Sequence, residues 1–131
     1  MARILIIEDE VEIRKVVRKF LETKGYEVLE ADNGTMGLDI FHRERVDLVI
    51  TDIIMPQMEG LETIQKLRRH SPDVKIIAVS GGGRIGPDNY LNLAKKFGAS
   101  RTVEKPFDLK RLLRTIEQLL SKYASDRDAD D

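Results

Sequence analysis

The stretch Arg3-Ile-Leu-Ile-Ile-Glu-Asp9 decides the fold, because four consecutive apolar residues run directly into two acidic ones. A short, continuous apolar run is typical of a strand that is buried on both faces of a sheet. The segments Leu48–Ile50 and Lys75–Val79 repeat this pattern further along the chain. We therefore predict a mostly parallel sheet whose two faces are covered by helices.

Amphipathic segments separate the predicted strands, so that strand and helix alternate from end to end. The first helix shows apolar residues at helical spacing, namely Ile13, Val16, Val17, Phe20 and Leu21. Tyr26–Ala31 and Arg101–Glu104 complete a set of five strands. The predicted fold class is α/β, a flavodoxin-like (βα)5 three-layer sandwich with a parallel sheet in the order 2-1-3-4-5.

Length and composition fit one domain without a general affinity for polyanions. The chain has 131 residues and a net charge of −1, which implies no general attraction to nucleic acid or to a membrane surface. Cysteine is absent, so disulfides and thiol catalysis are excluded. We expect a soluble, cytoplasmic protein with one domain over residues 1–122 and an acidic, disordered tail over residues 123–131.

Acidic, hydroxyl and lysine side chains lie where the predicted strands end. Glu8 and Asp9 follow the first strand, Asp52 follows the third, Ser80 closes the fourth and Lys105 follows the fifth. Ligands bind outside the carboxyl ends of the strands in open parallel sheets, so these residues should converge. Crowded carboxylates raise one another's pKa unless a cation neutralises them. The cluster therefore predicts a divalent cation site that handles a phosphoryl group.

Five short motifs at these strand ends also carry a resemblance. They are Ile6-Ile-Glu-Asp-Glu10, Thr51-Asp-Ile-Ile-Met-Pro-Gln-Met-Glu-Gly60, Val79-Ser-Gly81, Gly98-Ala99 and Lys105-Pro-Phe107. In this order they resemble the receiver domain of two-component response regulators, over residues 3 to about 122. The resemblance implies a stand-alone switch that takes a phosphoryl group from a sensor histidine kinase or a histidine phosphotransfer protein. It also implies that the chain catalyses only its own phosphorylation and dephosphorylation.

The resemblance assigns a metal site and a phosphoacceptor. It implies that Asp52 accepts the phosphoryl group as a nucleophilic carboxylate. Asp9, Asp52 and the backbone carbonyl of Ile54 would bind Mg²⁺ directly, and Glu8 would act through a coordinated water. Mn²⁺, which also prefers oxygen ligands, is expected to substitute.

The remaining assignments concern the phosphoryl group and the loops around it. The resemblance implies that Lys105 pairs with Asp52 or its phosphoryl group and that the Ser80 hydroxyl donates a hydrogen bond to that group. Gly60 is expected to permit a positive φ in the loop after Asp52. The residues with a predicted switch or scaffold role are Met55, Pro56, Gly60, Gly81, Thr102 and Pro106.

One position departs from the family pattern. Many receivers have an aromatic residue three positions before the lysine, and here that position is Thr102. A relay through an aromatic ring is therefore not available in its usual form. Either another group on the helix 4–strand 5 face takes over, with Tyr90 and Arg101 as candidates, or output runs through reordering of a loop. We expect output through the helix 4–strand 5–helix 5 face to a partner protein, or through a phosphorylation-dependent homodimer.

Two other functions remain open from the residues alone. Gly81–Gly86 fits G-x-G-x-x-G, the dinucleotide fingerprint, although it follows the fourth strand rather than the first. A phosphohydrolase could use Asp52 as nucleophile together with Ser80 and Lys105. Such enzymes have the motif D-x-D at the nucleophile, whereas in this chain Ile54 occupies the position of the second aspartate.

Overall fold

The fold was obtained as a computed structural model that describes residues 2–53, 60–81, 92, 94–105 and 108–129. The strands within these residues are β1 (Arg3–Ile7), β2 (Glu27–Ala31), β3 (Leu48–Asp52), β4 (Lys75–Gly81) and β5 (Arg101–Lys105). The helices are α1 (Val11–Thr23), α2 (Gly34–Arg43), α3 (Gly60–His70), α4, described over residues 94–97, and α5 (Leu109–Ala129).

The sheet has the predicted order. Its strands run β2-β1-β3-β4-β5, and every neighbouring pair is parallel. Asp52 pairs with Val79 across β3 and β4, and Gly81 pairs with Lys105 across β4 and β5. The carboxyl ends of β1, β3, β4 and β5 therefore lie along one edge, where the sequence predicted a site. The flavodoxin-like (βα)5 prediction is confirmed.

Alternate side chains of the central strands pack into two separate hydrophobic cores, one on each face of the sheet. The first core lies under α1 and α5 and contains Ile4, Ile6, Val17, Leu21, Val28, Leu48, Ile50, Ile77, Val79, Leu112, Ile116 and Leu119. The second lies on the opposite face and contains Leu5, Ile7, Ala31, Val49, Ile53, Ile64, Leu67, Val74, Ile76, Ala78 and Ala94. Two buried faces explain why these strands are apolar at every position rather than at every second one.

Three sequence predictions change in detail. Val16 was placed on the buried face of α1 but is 56% exposed, because it lies at the edge of the apolar stripe. Asp52 and Lys105 are the last residues of β3 and β5 rather than the first residues after them, since both still pair with β4. Helix α5 extends to Ala129, so residues 123–129, expected to form a disordered tail, are helical.

Gly60 begins α3, and its role differs from the predicted one. Among the described glycines only Gly25 and Gly98 have a positive φ. The backbone at Gly60 therefore does not adopt the left-handed conformation that was the predicted reason for a glycine there. A Cβ atom built on Gly60 would instead overlap the Cα of Ile53 and the carbonyl oxygen of Asp52. The Gly60 N–H also donates to the Ile53 carbonyl over 3.0 Å. Gly60 therefore allows α3 to begin directly against the end of β3.

Among the helices in the described residues, none combines the length and the apolar composition needed to cross a bilayer.

We predict that Gly60→Ala destabilises the protein by about 1–3 kcal/mol, the usual cost of overpacking, because the new methyl group meets backbone that cannot move aside. Gly37→Ala is the matched control, since its Cβ would meet side-chain atoms of Ile7 rather than backbone. Urea denaturation of both variants checks the prediction. Equal losses of unfolding free energy would contradict it.

Candidate functional site

Lys105 joins the ends of three strands through a single ammonium group. Its Nζ lies 2.6 Å from Glu8 Oε1 and 2.8 Å from Asp52 Oδ2. In sheet order β5 is separated from β3 by β4 and from β1 by β4 and β3, so only a long side chain can span this distance. The structure therefore brings Glu8, Asp52 and Lys105 together as the sequence predicted.

The Lys105 cluster is shielded from solvent. The side chains of Glu8, Asp52 and Lys105 are 6%, 7% and 13% exposed. Burial raises the pKa of Glu8 to about 7, although the hydrogen bond from Lys105 lowers it. Burial lowers the pKa of Lys105, but the hydrogen bonds to Asp52 and Glu8 outweigh this effect and the net direction is upward. Lys105 is therefore held in its charged form by the two carboxylates.

Asp9 completes a set of oxygen ligands at the same edge. Glu8, Asp9 and Asp52 each offer a carboxylate oxygen, and these atoms lie within 4.8 Å of one another. We call these three residues the acidic cluster. Hard oxygen donors suit Mg²⁺, which binds one or two carboxylates and keeps several waters. Asp9 is exposed while the other two are buried, so the cluster opens to solvent on the side of Asp9. The donor set fits a hydrated Mg²⁺ ion.

Ser80 and its neighbours are placed by strand register. Ser80 is fully buried in β4, one residue beyond the partner of Asp52, and it pairs with Glu104. Gly81 ends β4 opposite Lys105. Thr102 is partly buried in β5 and pairs with Ala78, further from the edge. Ser80 therefore lies at the height of the acidic cluster, whereas Thr102 lies deeper along β5.

Several predicted site residues lie outside the described part of the chain. They are Ile54, Met55, Pro56 and Pro106, together with the alternative output residue Tyr90 and residues 82–86 of the glycine loop.

A largely buried ion pair that the sequence did not suggest, Arg14 with Glu30, lies next to the backbone of Glu8. Arg14 of α1 donates from Nε to Glu30 Oε1 over 2.7 Å and from Nη1 to the backbone carbonyl of Glu8 over 2.8 Å. Arg18 donates to the other oxygen of Glu30 over 2.5 Å. Burial raises the pKa of Glu30, but the hydrogen bonds from Arg18 and Arg14 outweigh it and hold that pKa below its usual range. The signal in the sequence was Glu30, an acidic residue that lies between Leu29 and Ala31 in the interior of β2.

Comparison with known proteins places the chain among receiver domains. The family model described as the response regulator receiver domain matches residues 4–117. The response regulator receiver protein CpdR of Brucella abortus is 32% identical over 120 residues, which cover 92% of this chain and 98% of CpdR. The sensor kinase CckA of the same organism is 37% identical over 123 residues, but the chain spans only 13% of its length.

Solved structures agree in fold. A CheY-like response regulator receiver domain from Methanospirillum hungatei superposes with a TM-score of 0.88 at 31% identity, covering 96% of this chain and 98% of that one. The response regulator TrrA from Thermotoga maritima, solved in complex with Mg²⁺ and BeF, gives a TM-score of 0.81 at 34% identity, covering 91% and 99%.

We predict that Lys105→Met costs about 1–3 kcal/mol of unfolding free energy, because it removes the ammonium group whose hydrogen bonds two buried carboxylates share. Added Mg²⁺ should recover part of this loss by neutralising the same carboxylates. Lys66→Met is the matched control: Lys66 pairs with Glu62 at 3.5 Å on an exposed surface, where such pairs contribute about 0–1 kcal/mol. Denaturation with and without Mg²⁺ measures both effects, and a Lys105→Met variant as stable as Lys66→Met would contradict the prediction.

Proposed function

The chain belongs to the response regulator receiver domain family, whose members are phosphorylation-operated switches of two-component signalling, and we propose that Asp52 is its phosphoacceptor. The observation that supports this choice is the contact of the buried Asp52 carboxylate with Lys105 and its inclusion in the acidic cluster. Asp9 belongs to the same cluster, but it is exposed, and in the described part of the chain Lys105 donates to Asp52 and Glu8 instead.

The proposed reaction is a phosphoryl transfer from a phosphohistidine to a carboxylate. An oxygen of Asp52 forms a bond to phosphorus while the bond between phosphorus and the imidazole nitrogen of the donor breaks. The imidazole leaves with the bonding electron pair and is protonated from water. Because the transition state of such transfers is loose, positioning and charge compensation supply most of the catalysis.

Lys105 provides charge compensation from the protein itself. Its ammonium contacts the acceptor before transfer, so it can remain beside the acyl phosphate when the phosphoryl group adds about −1.5 to −2 charges. The contact with Glu8 gives the ammonium a second fixed partner beside the proposed acceptor. Ser80 is proposed to donate a hydrogen bond to the phosphoryl group from the end of β4.

Mg²⁺ fits this site as a cofactor. Asp9, Asp52 and the Ile54 carbonyl would hold it, with Glu8 acting through a water. When bound, it supplies positive charge that offsets the charge of the phosphoryl oxygens. Mn²⁺ has the same preference for oxygen ligands and is expected to replace it. Phosphotransfer in Mg²⁺ compared with Mn²⁺ tests that substitution, and no transfer in Mn²⁺ would contradict it.

The two alternatives from the sequence are not favoured. The receiver match covers residues 4–117, including the glycine-rich segment that was considered as a dinucleotide fingerprint. A phosphohydrolase would turn over a phosphomonoester many times. We propose instead that the chain catalyses only its own phosphorylation and dephosphorylation and does not accept a phosphoryl group from such an ester, so that incubation with the ester should release no more phosphate than it does with Asp52→Asn.

The output surface is proposed to be the face formed by α4, β5 and α5. Lys105, which responds to charge at Asp52, is the last residue of β5. On the exposed side of this face Arg101 Nη2 donates to Gln118 Oε1 over 2.9 Å, which links β5 to α5. We propose that this surface binds a partner protein or a second copy of the chain after phosphorylation.

We predict that a small phosphodonor adds one phosphoryl group to the wild type in the presence of Mg²⁺ and none to Asp52→Asn, which keeps the shape of the side chain but not its nucleophilic oxygen. Intact mass spectrometry measures the gain. Asp39→Asn is the control, because Asp39 is an exposed aspartate that pairs with Arg43 of the same helix at 3.1 Å. A gain of equal size in Asp52→Asn would contradict the proposal.

We also predict that phosphorylation shifts the amide resonances of Arg101, Thr102 and Gln118, which lie away from the acidic edge. Two-dimensional amide spectra with and without phosphodonor measure this. Thr23, at the end of α1, serves as the internal reference and should not move. Shifts confined to residues around Glu8, Asp9 and Asp52 would contradict the choice of output surface. Sedimentation velocity on the same samples tests dimerisation.

A further inference from the structure

Arg14 holds the backbone at the point where the acidic cluster leaves β1. The carbonyl that it binds belongs to the peptide between Glu8 and Asp9, so its hydrogen bond fixes the plane of that peptide. On the other side of the same residue, the Glu8 N–H donates to the Ala31 carbonyl of β2 over 3.0 Å. Glu8 is therefore tied on both of its backbone sides, and Asp9 departs in a direction set by these bonds.

Arg14 is itself held in place. Its side chain is only 13% exposed, and the Glu30 side chain that it contacts is 15% exposed. A guanidinium group presents its donors in a rigid fork, so the bond to Glu30 orients the second bond to the Glu8 carbonyl. Glu30 is in turn fixed by Arg18. The chain of contacts runs from β2 through Arg14 to the peptide before Asp9.

We propose that Arg14 is a positioning residue for the Mg²⁺ site, acting through the Glu8–Asp9 peptide rather than by contact with the ion. The inference rests on the proposed function, because it concerns the same metal. Groups that orient metal ligands typically contribute a factor of 10–100 to metal affinity. Arg14 thus extends the functional site from the sheet edge into α1 and β2.

The direction in which Mg²⁺ affinity changes when Arg14 is replaced distinguishes a positioning role from a purely electrostatic one. Arg14 carries a positive charge close to the acidic cluster, so its removal should strengthen Mg²⁺ binding if charge alone matters. If Arg14 positions Asp9, its removal should weaken Mg²⁺ binding instead. Arg14→Lys keeps the charge but cannot reproduce the fork, so positioning also predicts weaker binding in that variant.

Arg18 offers a matched control. It contacts the same Glu30 carboxylate and carries the same charge, but within the described part of the chain its side chain donates to Glu22 and Glu30, whereas Arg14 donates to the Glu8 carbonyl. Arg18→Met therefore removes one guanidinium from the network while leaving the Glu8–Asp9 peptide held. In Arg14→Met, Glu30 keeps Arg18 as its partner, so the loss of stability should be limited.

The experiment is a Mg²⁺ titration of the metal-free protein, followed by the amide resonances of Asp9 and Glu10. We expect Kd to rise about tenfold in Arg14→Met and several-fold in Arg14→Lys, and to change less than twofold in Arg18→Met. Urea denaturation of each variant in metal-free buffer tests whether it is folded. If Arg14→Met does not fold, Arg14→Lys against Arg18→Met decides.

Each outcome is decisive. Unchanged or tighter Mg²⁺ binding in both Arg14 variants overturns the inference, as does an Arg18→Met variant weakened to the same extent. If the wild type does not bind Mg²⁺ at millimolar concentration, the proposed metal site itself fails, which the wild-type titration reveals independently of any variant.

Discussion

Two buried carboxylates sharing one ammonium group are the constraint on which the rest of the site depends. Glu8 directly follows β1 and Asp52 ends β3, and their mutual repulsion in a shielded environment is offset by Lys105. This contact requires β5 to lie within reach of β1, which the order β2-β1-β3-β4-β5 provides. The strand order is therefore what allows the charges at this edge of the sheet to be balanced.

Under the proposed function, phosphorylation changes the charge of Asp52, and Lys105 is the residue placed to respond to that change. Lys105 divides its hydrogen bonds between Glu8 and Asp52, so a new anionic group on Asp52 changes the balance between the two. Lys105 is the last residue of β5 and pairs with Gly81, the neighbour of Ser80. Under the proposed function, a change at Asp52 would therefore reach the ends of β4 and β5 directly, so that a local electrostatic change would alter structure elsewhere.

Much of the fold and part of the site could be predicted from the sequence, for a physical reason. Strands buried on both faces are apolar at every position, and the polar residues that end them are conspicuous, which is how Glu8, Asp9, Asp52, Ser80 and Lys105 were found. Features set by tertiary contact were not visible. The need for Gly60 comes from the backbone of Ile53 and Asp52, not from its own φ. The pairing of Arg14 with Glu30 depends on how α1 lies on the sheet, which no local pattern encodes.

The most direct test of this account is to reduce the phosphorylated protein with borohydride and to locate the product by peptide mass spectrometry. Borohydride converts an aspartyl phosphate to homoserine and so marks the acceptor permanently. The account predicts homoserine at position 52 and unmodified aspartate at position 9. Homoserine at position 9, or a phosphoryl group that resists borohydride because it is carried on a hydroxyl such as Ser80, would contradict it.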